Sequence, residues 1–169
     1  MKALRSATLA ALLALVVSAP AGAQSNSATT SCNATATIVT GISLTKTADL
    51  NFGSVVPGGS AGSVMMTPAG ARSASGGASL GSSTGSSAGS FTVAGLAGAA
   101  YSITLPASTT ITSGANNMTV NTFTSTPSVT GNLGGGGTQT LSIGATLQVG
   151  ASQPTGTYSG AFNVTVTYN

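Results

Sequence analysis

Between residues 141 and 149 the apolar side chains fall on every second position. Leu141, Ile143, Ala145, Leu147 and Val149 alternate with Ser142, Gly144, Thr146 and Gln148. The same period returns at the C-terminus, where Tyr158, Gly160, Phe162, Val164, Val166 and Tyr168 hold the even positions and Ser, Asn and Thr most of the odd ones. A period of two sends alternate side chains to opposite faces, which is the signature of a half-buried strand. Outside the first two dozen residues, no stretch spaces its apolar residues as a helix would. The chain is restricted to an all-β fold.

Shorter runs carry the same pattern. Phe91-Thr92-Val93 and Tyr101-Ser102-Ile103-Thr104-Leu105 flank a Gly-rich turn at residues 94–99. Ala34, Ala36, Ile38, Ile42 and Leu44 share one parity near the start, and Met118-Thr119-Val120 opens a further strand. Phe123 falls out of that strand's parity, which predicts a bulge. Turn clusters stand at Val56-Pro57-Gly58-Gly59, Gly114-Ala115-Asn116-Asn117, residues 134–137 and Gln153-Pro154-Thr155-Gly156. Short β-branched strands punctuated in this way predict an all-β antiparallel sandwich forming one domain over residues 35–169. Residues 73–90 are almost wholly Ser, Gly, Ala and Thr, and read as a surface loop within that domain.

Charge locates the N-terminal boundary. Charged residues are 3% of the chain, and two of its four basic residues, Lys2 and Arg5, precede the apolar run at residues 7–17. Ala21-Gly22-Ala23 follows Pro20, completing the pattern of a secretory leader at residues 1–23, cut after Ala23. The run is too short for a membrane span, which needs about 20 apolar residues. The mature chain keeps only Lys46, Arg72 and Asp49 as charged side chains. Two scattered cations cannot neutralise a row of phosphates, so a nucleic-acid surface is excluded. The expected location is the periplasm and then the cell surface, or the medium.

The residue types present also exclude most chemistry. There is no His and no Glu, and there is one Asp and one Cys. General acid–base pairs, a His-activated nucleophile and a His, Cys and carboxylate metal site all lack their parts. A non-catalytic protein without cofactor or metal is expected. Gly81-Ser82-Ser83-Thr84-Gly85 matches a nucleophile elbow in letters only, since that motif needs a His partner and a strand–turn–helix setting. Ser43-Leu44-Thr45-Lys46 matches S-x-x-K, but on a strand pattern and without its partner motifs. Cys32 has no partner within the chain. It reads either as an exposed thiol in a polar arm, residues 24–34, or as a bridge between subunits.

The C-terminal strand carries more information. Gly156 is the fourteenth residue from the end, Tyr168 is penultimate, and Tyr158, Phe162, Val164 and Val166 project between them to one face. This resembles the C-terminal signature of chaperone–usher pilus subunits. Leu50-Asn51-Phe52-Gly53, Phe91-Thr92-Val93-Ala94-Gly95, Tyr101-Ser102-Ile103-Thr104-Leu105-Pro106, Leu141-Ser142-Ile143-Gly144-Ala145-Thr146-Leu147 and Gly156-Thr157-Tyr158-Ser159-Gly160 together resemble the bacterial domain of unknown function numbered 4402. That resemblance runs from about Thr35 to Asn169. It implies an exported sandwich similar to fimbrial subunits and to spore-coat-U-like proteins.

The resemblance implies an immunoglobulin-like (Greek-key) antiparallel β-sandwich, which in such pilins lacks a strand. A periplasmic chaperone fills the gap first, and the N-terminal arm of the next subunit replaces it after delivery to an usher. The resemblance therefore implies a groove or chaperone contact at Gly156, Tyr158, Phe162, Val164, Val166 and Tyr168. The arm departs from the pilin pattern, because residues 24–34 offer only Ala28, Cys32 and Ala34 as plugs. A methyl contributes about 0.8 kcal/mol on burial, against 1.5–3 for a larger aliphatic side chain. Either the donor segment extends through Ala34, Ala36, Ile38 and Ile42, or the subunit is not polymerised in this way. In the second case the chain is a self-complete surface sandwich with an adhesive or coat role.

Overall fold

The structure is a computed structural model that describes residues 26–169. The inferred leader and its cut lie outside the described residues. Residues 26–37 form no strand, and each is exposed. Residues 38–169 make a separate compact unit. Its strands are β1 (Ser43–Ala48), β2 (Val55–Met66), β3 (Arg72–Leu80), β4 (Gly89–Ala94), β5 (Ala100–Thr104), β6 (Ser108–Ser113), β7 (Asn116–Thr126), β8 (Thr130–Asn132), β9 (Thr138–Val149) and β10 (Thr165–Tyr168). No helix forms among the described residues, so none is long and apolar enough to cross a membrane. The fold is an all-β, immunoglobulin-like antiparallel sandwich.

β9 organises the larger, seven-stranded sheet. One of its edges pairs with β7, from Ser142 to Gln148. Its other edge pairs with β4 at residues 138–143 and with β2 at residues 145–149. β1 lies outside β4, β3 outside β2, and β6 outside β7. Gly144 sits where β2 departs and β4 arrives, and a Cβ there would stand 2.2 Å from the Met66 carbonyl oxygen. A side chain cannot be placed at that crossing.

The smaller sheet has the order β10–β5–β8. It packs over the β4 end of β9, where Val93, Tyr101, Ile103, Leu133, Leu141 and Ile143 form a buried cluster. At the other end Phe52, Val64, Met66, Ala78, Val120, Ala145, Leu147 and Val149 form a second cluster. No strand of the smaller sheet contributes to it. Half of the large sheet's inner face therefore has loops opposite it in place of a sheet.

Several expectations are corrected by these elements. The Ser/Gly tract is not a loop, because β3 and the start of β4 occupy most of it, leaving only residues 81–88 between them. Its composition follows from close packing. A Cβ on Gly77 would lie 2.0 Å from the Ser60 carbonyl oxygen, and one on Gly62 would lie 2.2 Å from the Ala78 nitrogen. The Val56-Pro57-Gly58-Gly59 cluster is likewise part of β2, where a register jump between Pro57 and Gly62 absorbs the extra residues. The N-terminal parity yields a strand only from Ser43, and the C-terminal parity only from Thr165. The bulge at Phe123 is present: register shifts between Asn121 and Thr124, with Thr122 at φ 49°.

The Tyr101 side chain is fully buried and donates to Gln139 Oε1 at 2.9 Å. Burial raises its hydroxyl pKa above the ordinary value. The folded chain thus keeps this proton at a pH where the unfolded chain has lost it. Stability from this group is unaffected below a pH of about 10 and falls as pH rises beyond it. Tyr101→Phe is expected to flatten that alkaline fall in urea-unfolding titrations, and to cost about 1 kcal/mol at neutral pH through the lost hydrogen bond.

Candidate functional site

The uncovered half of the large sheet forms the floor of a groove of about 850 Å³. Phe91 of β4, Ile111 of β6, Met118 and Val120 of β7, and Leu147 and Val149 of β9 line it. One wall is the chain around and after β1, residues 46–57. The other is the connection from β9 to β10, residues 153–162. The period-two pattern supplies the apolar floor, because these side chains are the inward set of each strand.

The walls run antiparallel and are pinned together at both ends. At one end Tyr168 Oη donates to the Thr40 carbonyl at 2.8 Å and accepts from Leu96 N at 2.7 Å. At the other end Ser152 N donates to the Gly58 carbonyl at 2.8 Å. Among the described residues no hydrogen bond joins the walls between these pins. β1 pairs only with β4, and β10 only with β5. The edges of β1 and β10 away from those partners are thus unpaired.

Each wall is held from behind. Arg72 Nη1 donates to the Phe52 carbonyl at 2.6 Å, and Nη2 to the Gly81 carbonyl at 3.3 Å, fixing the loop that carries Phe52. The opposite wall meets β6 through a two-bond bridge between Thr112 and Ser159. Thr109 Oγ1 also donates to the Ala161 carbonyl at 2.8 Å. Tyr158 Oη donates to the Pro154 carbonyl at 2.8 Å and accepts from Gln153 Nε2 at 2.9 Å, while Gln153 also donates to the Asn117 carbonyl. At the rim Lys46 and Asp49 form an exposed ion pair at 2.6 Å, which cancels the formal charge there. An exposed pair of this kind contributes roughly 0–1 kcal/mol to stability.

The residues singled out in the sequence divide between two places. Gly156, Tyr158 and Phe162 line the groove. Val164, Val166 and Tyr168 pack into the cluster under the smaller sheet, which Phe162 also touches. The close approach at Gly156 is to β6, since a Cβ would meet Ser113 Oγ at 2.5 Å. Ala34, Ala36 and Ile38 are exposed and outside any strand, and Ile38 is 98% exposed. Ile42 instead packs against the domain's own core. Cys32 is a free, exposed thiol. Among the described residues no three His, Cys, Asp or Glu side chains come together. Sequence reasoning missed Arg72 as a brace of the wall and β6 as a contributor to the floor. The single apolar residue of β6, Ile111, gave no alternation to detect.

The model of a family described as a domain of unknown function, number 4402, matches residues 42–168. The chain belongs to this family. The match spans β1 to β10 and so includes both walls and the floor of the groove. No curated protein and no solved structure matches the chain.

Proposed function

We propose that the mature chain is a non-catalytic structural subunit of a bacterial surface fibre, and that its groove accepts an extended segment from a neighbouring copy. The observation that carries this reading is the seam itself. Two antiparallel walls are pinned at both ends and left unbonded between, over an apolar floor. Strand addition suits such a seam: main-chain bonds to the walls give affinity, and alternate side chains on the floor set register. The donor is the segment around Ile38. Its neighbour Val39 is 53% exposed, and neither side chain is committed to the domain's own core.

Burying Ile38 contributes about 1.5–3 kcal/mol, which supplies the anchor that the alanines of the arm lack. An open groove with unpaired edges invites aggregation, so a periplasmic chaperone would cover it until an usher assembles the fibre. Export would depend on the leader at residues 1–23, and the fibre would stand at the cell surface.

The test is the assembly state of the purified mature chain, by light scattering and electron microscopy. Polymers are expected, and removal of residues 24–39 should abolish them. A mature chain that stays monomeric at high concentration without any partner would overturn the proposal in favour of a self-complete surface sandwich.

A further inference from the structure

The chain enters the domain at the pinned end of its own seam. Thr40, whose carbonyl accepts from Tyr168 Oη at 2.8 Å, forms that pin, and Ile38 stands two residues before it. β1 begins three residues after the pin, at Ser43, and pairs only with β4, so one of its edges is open. A reversal at residues 39–41 is all the arm needs to lie along that edge.

The residues at 39–41 suit such a reversal. A three-residue hairpin loop makes a type I turn followed by a residue in the left-handed region, where glycine is favoured. Val39-Thr40-Gly41 has that form. The extended arm gives Gly41 no other reason to be glycine. Nothing lies within 4 Å of a Cβ there, and its φ is not in the left-handed region. A type I turn uses the carbonyl of its first residue, here Ile38, so that of Thr40 stays free for Tyr168.

The side-chain pattern agrees with the turn. Across an odd loop Ile38 falls opposite Ile42, Thr37 opposite Ser43 and Ala36 opposite Leu44. Opposed residues share a face. Ile38 and Ala36 would thus join Ile42 and Leu44, which already pack against the core, and Thr37 would stay outside with Ser43. The apolar parity continues from Ala34 to Leu44 although the strand starts only at Ser43. A hairpin accounts for that continuity.

We infer, resting on the reading that the groove accepts a neighbour's arm, that residues 34–38 of a free subunit fold back on its own β1 and restrain assembly. The extended arm is then the released, donating form. A tethered segment has an effective concentration on the order of millimolar, so in dilute solution it outcompetes the arms of neighbours. The turn also fixes its register. Ile38 is held beside Ile42, which belongs to the cluster under the smaller sheet and does not line the groove. A neighbour's arm has no such turn and can set its Ile38 on the floor, and that difference lets it displace the resident arm.

The experiment follows disulfide closure in the dilute mature chain, with Cys32→Ser and two new cysteines, in a glutathione buffer. Thr37→Cys with Ser43→Cys places the thiols opposite each other on one face, within bonding range. Ala36→Cys with Ser43→Cys is the control, since those positions face opposite ways. The first pair should close within the monomer at least tenfold faster than the second, at a rate independent of protein concentration. Gly41→Val, which disfavours the left-handed turn, should remove the difference. An arm that is merely flexible would close both pairs alike. This readout is made on monomers, so it stands whether or not fibres form. If fibres form, Gly41→Val should also raise their initial growth rate about tenfold, because the resident arm no longer competes. If none form while the first pair still closes selectively, the fibre reading fails and the fold-back stands. Equal closure of the two pairs, selectivity indifferent to Gly41→Val, or fibre growth unchanged by it would overturn the inference.

Discussion

Valine in place of Gly144 is expected to abolish cooperative folding. Gly144 lies between the last paired residue of β2 and the first of β4, on the strand that both share. A Cβ would be 2.2 Å from the Met66 carbonyl oxygen, 2.6 Å from the Thr67 carbonyl carbon and 2.8 Å from the Pro68 nitrogen. All three are backbone atoms, so no side chain can rotate out of the way. Relief requires β2 to move off β9, which separates Val64 and Met66 from Leu147 and Ala145 in the core. The loss should exceed about 4 kcal/mol, a large part of the 5–15 kcal/mol available to a domain of this kind. Urea unfolding followed by far-ultraviolet circular dichroism should show no folded baseline. Gly135→Ala is the control: nothing lies within 4 Å of a Cβ there, and stability should change by less than about 0.5 kcal/mol.

The second large effect concerns the groove floor. Ile111→Glu puts a carboxylate on a half-buried position of β6 that faces the groove. An occupying strand would have to desolvate that charge with no cation on the floor to pair it, since the nearest lining cation, Lys46, already bonds Asp49. Burial of an unpaired charge costs several kcal/mol, and each 1.4 kcal/mol is tenfold in affinity, so acceptance should fall by at least a hundredfold. The monomer should remain folded, because the carboxylate can stay in water while the groove is empty. The decisive arrangement is a mixture. A chain lacking residues 24–39 keeps the Thr40 pin and the groove but has no arm, and the Ile111→Glu chain has an arm and a blocked groove. Neither should polymerise alone. Together they should form one-to-one dimers and stop there. Polymers of the Ile111→Glu chain by itself would show that the groove takes no part.

The sandwich was legible because inward positions of β4, β5, β7 and β9 are mostly Val, Ile, Leu, Met, Phe or Tyr against mostly Thr and Ser outside. β3 was not, since its packing depends on the absence of side chains. Glycines that bring backbones together look the same in sequence as glycines that leave a loop free. The C-terminal alternation misled in the other direction. Residues 158–162 keep strand parity but have almost no strand partner, because they form the wall of the groove and the place beside them is open. Tyr158, Phe162 and Gly156 were found as site residues through this pattern. Arg72 was not, because a lone cation bonded to carbonyls leaves no acidic partner in the sequence.

Amide hydrogen exchange along the two walls tests the strand-accepting groove most directly. The polymer and the Ile38→Asp chain, whose charged arm cannot seat on the apolar floor, would be compared at the wall residues 46–57 and 153–162. If a strand enters the seam, both segments become protected together in the polymer, while β9, already paired on both edges, is unchanged. Polymers whose walls exchange as fast as those of the Ile38→Asp chain would contradict the account.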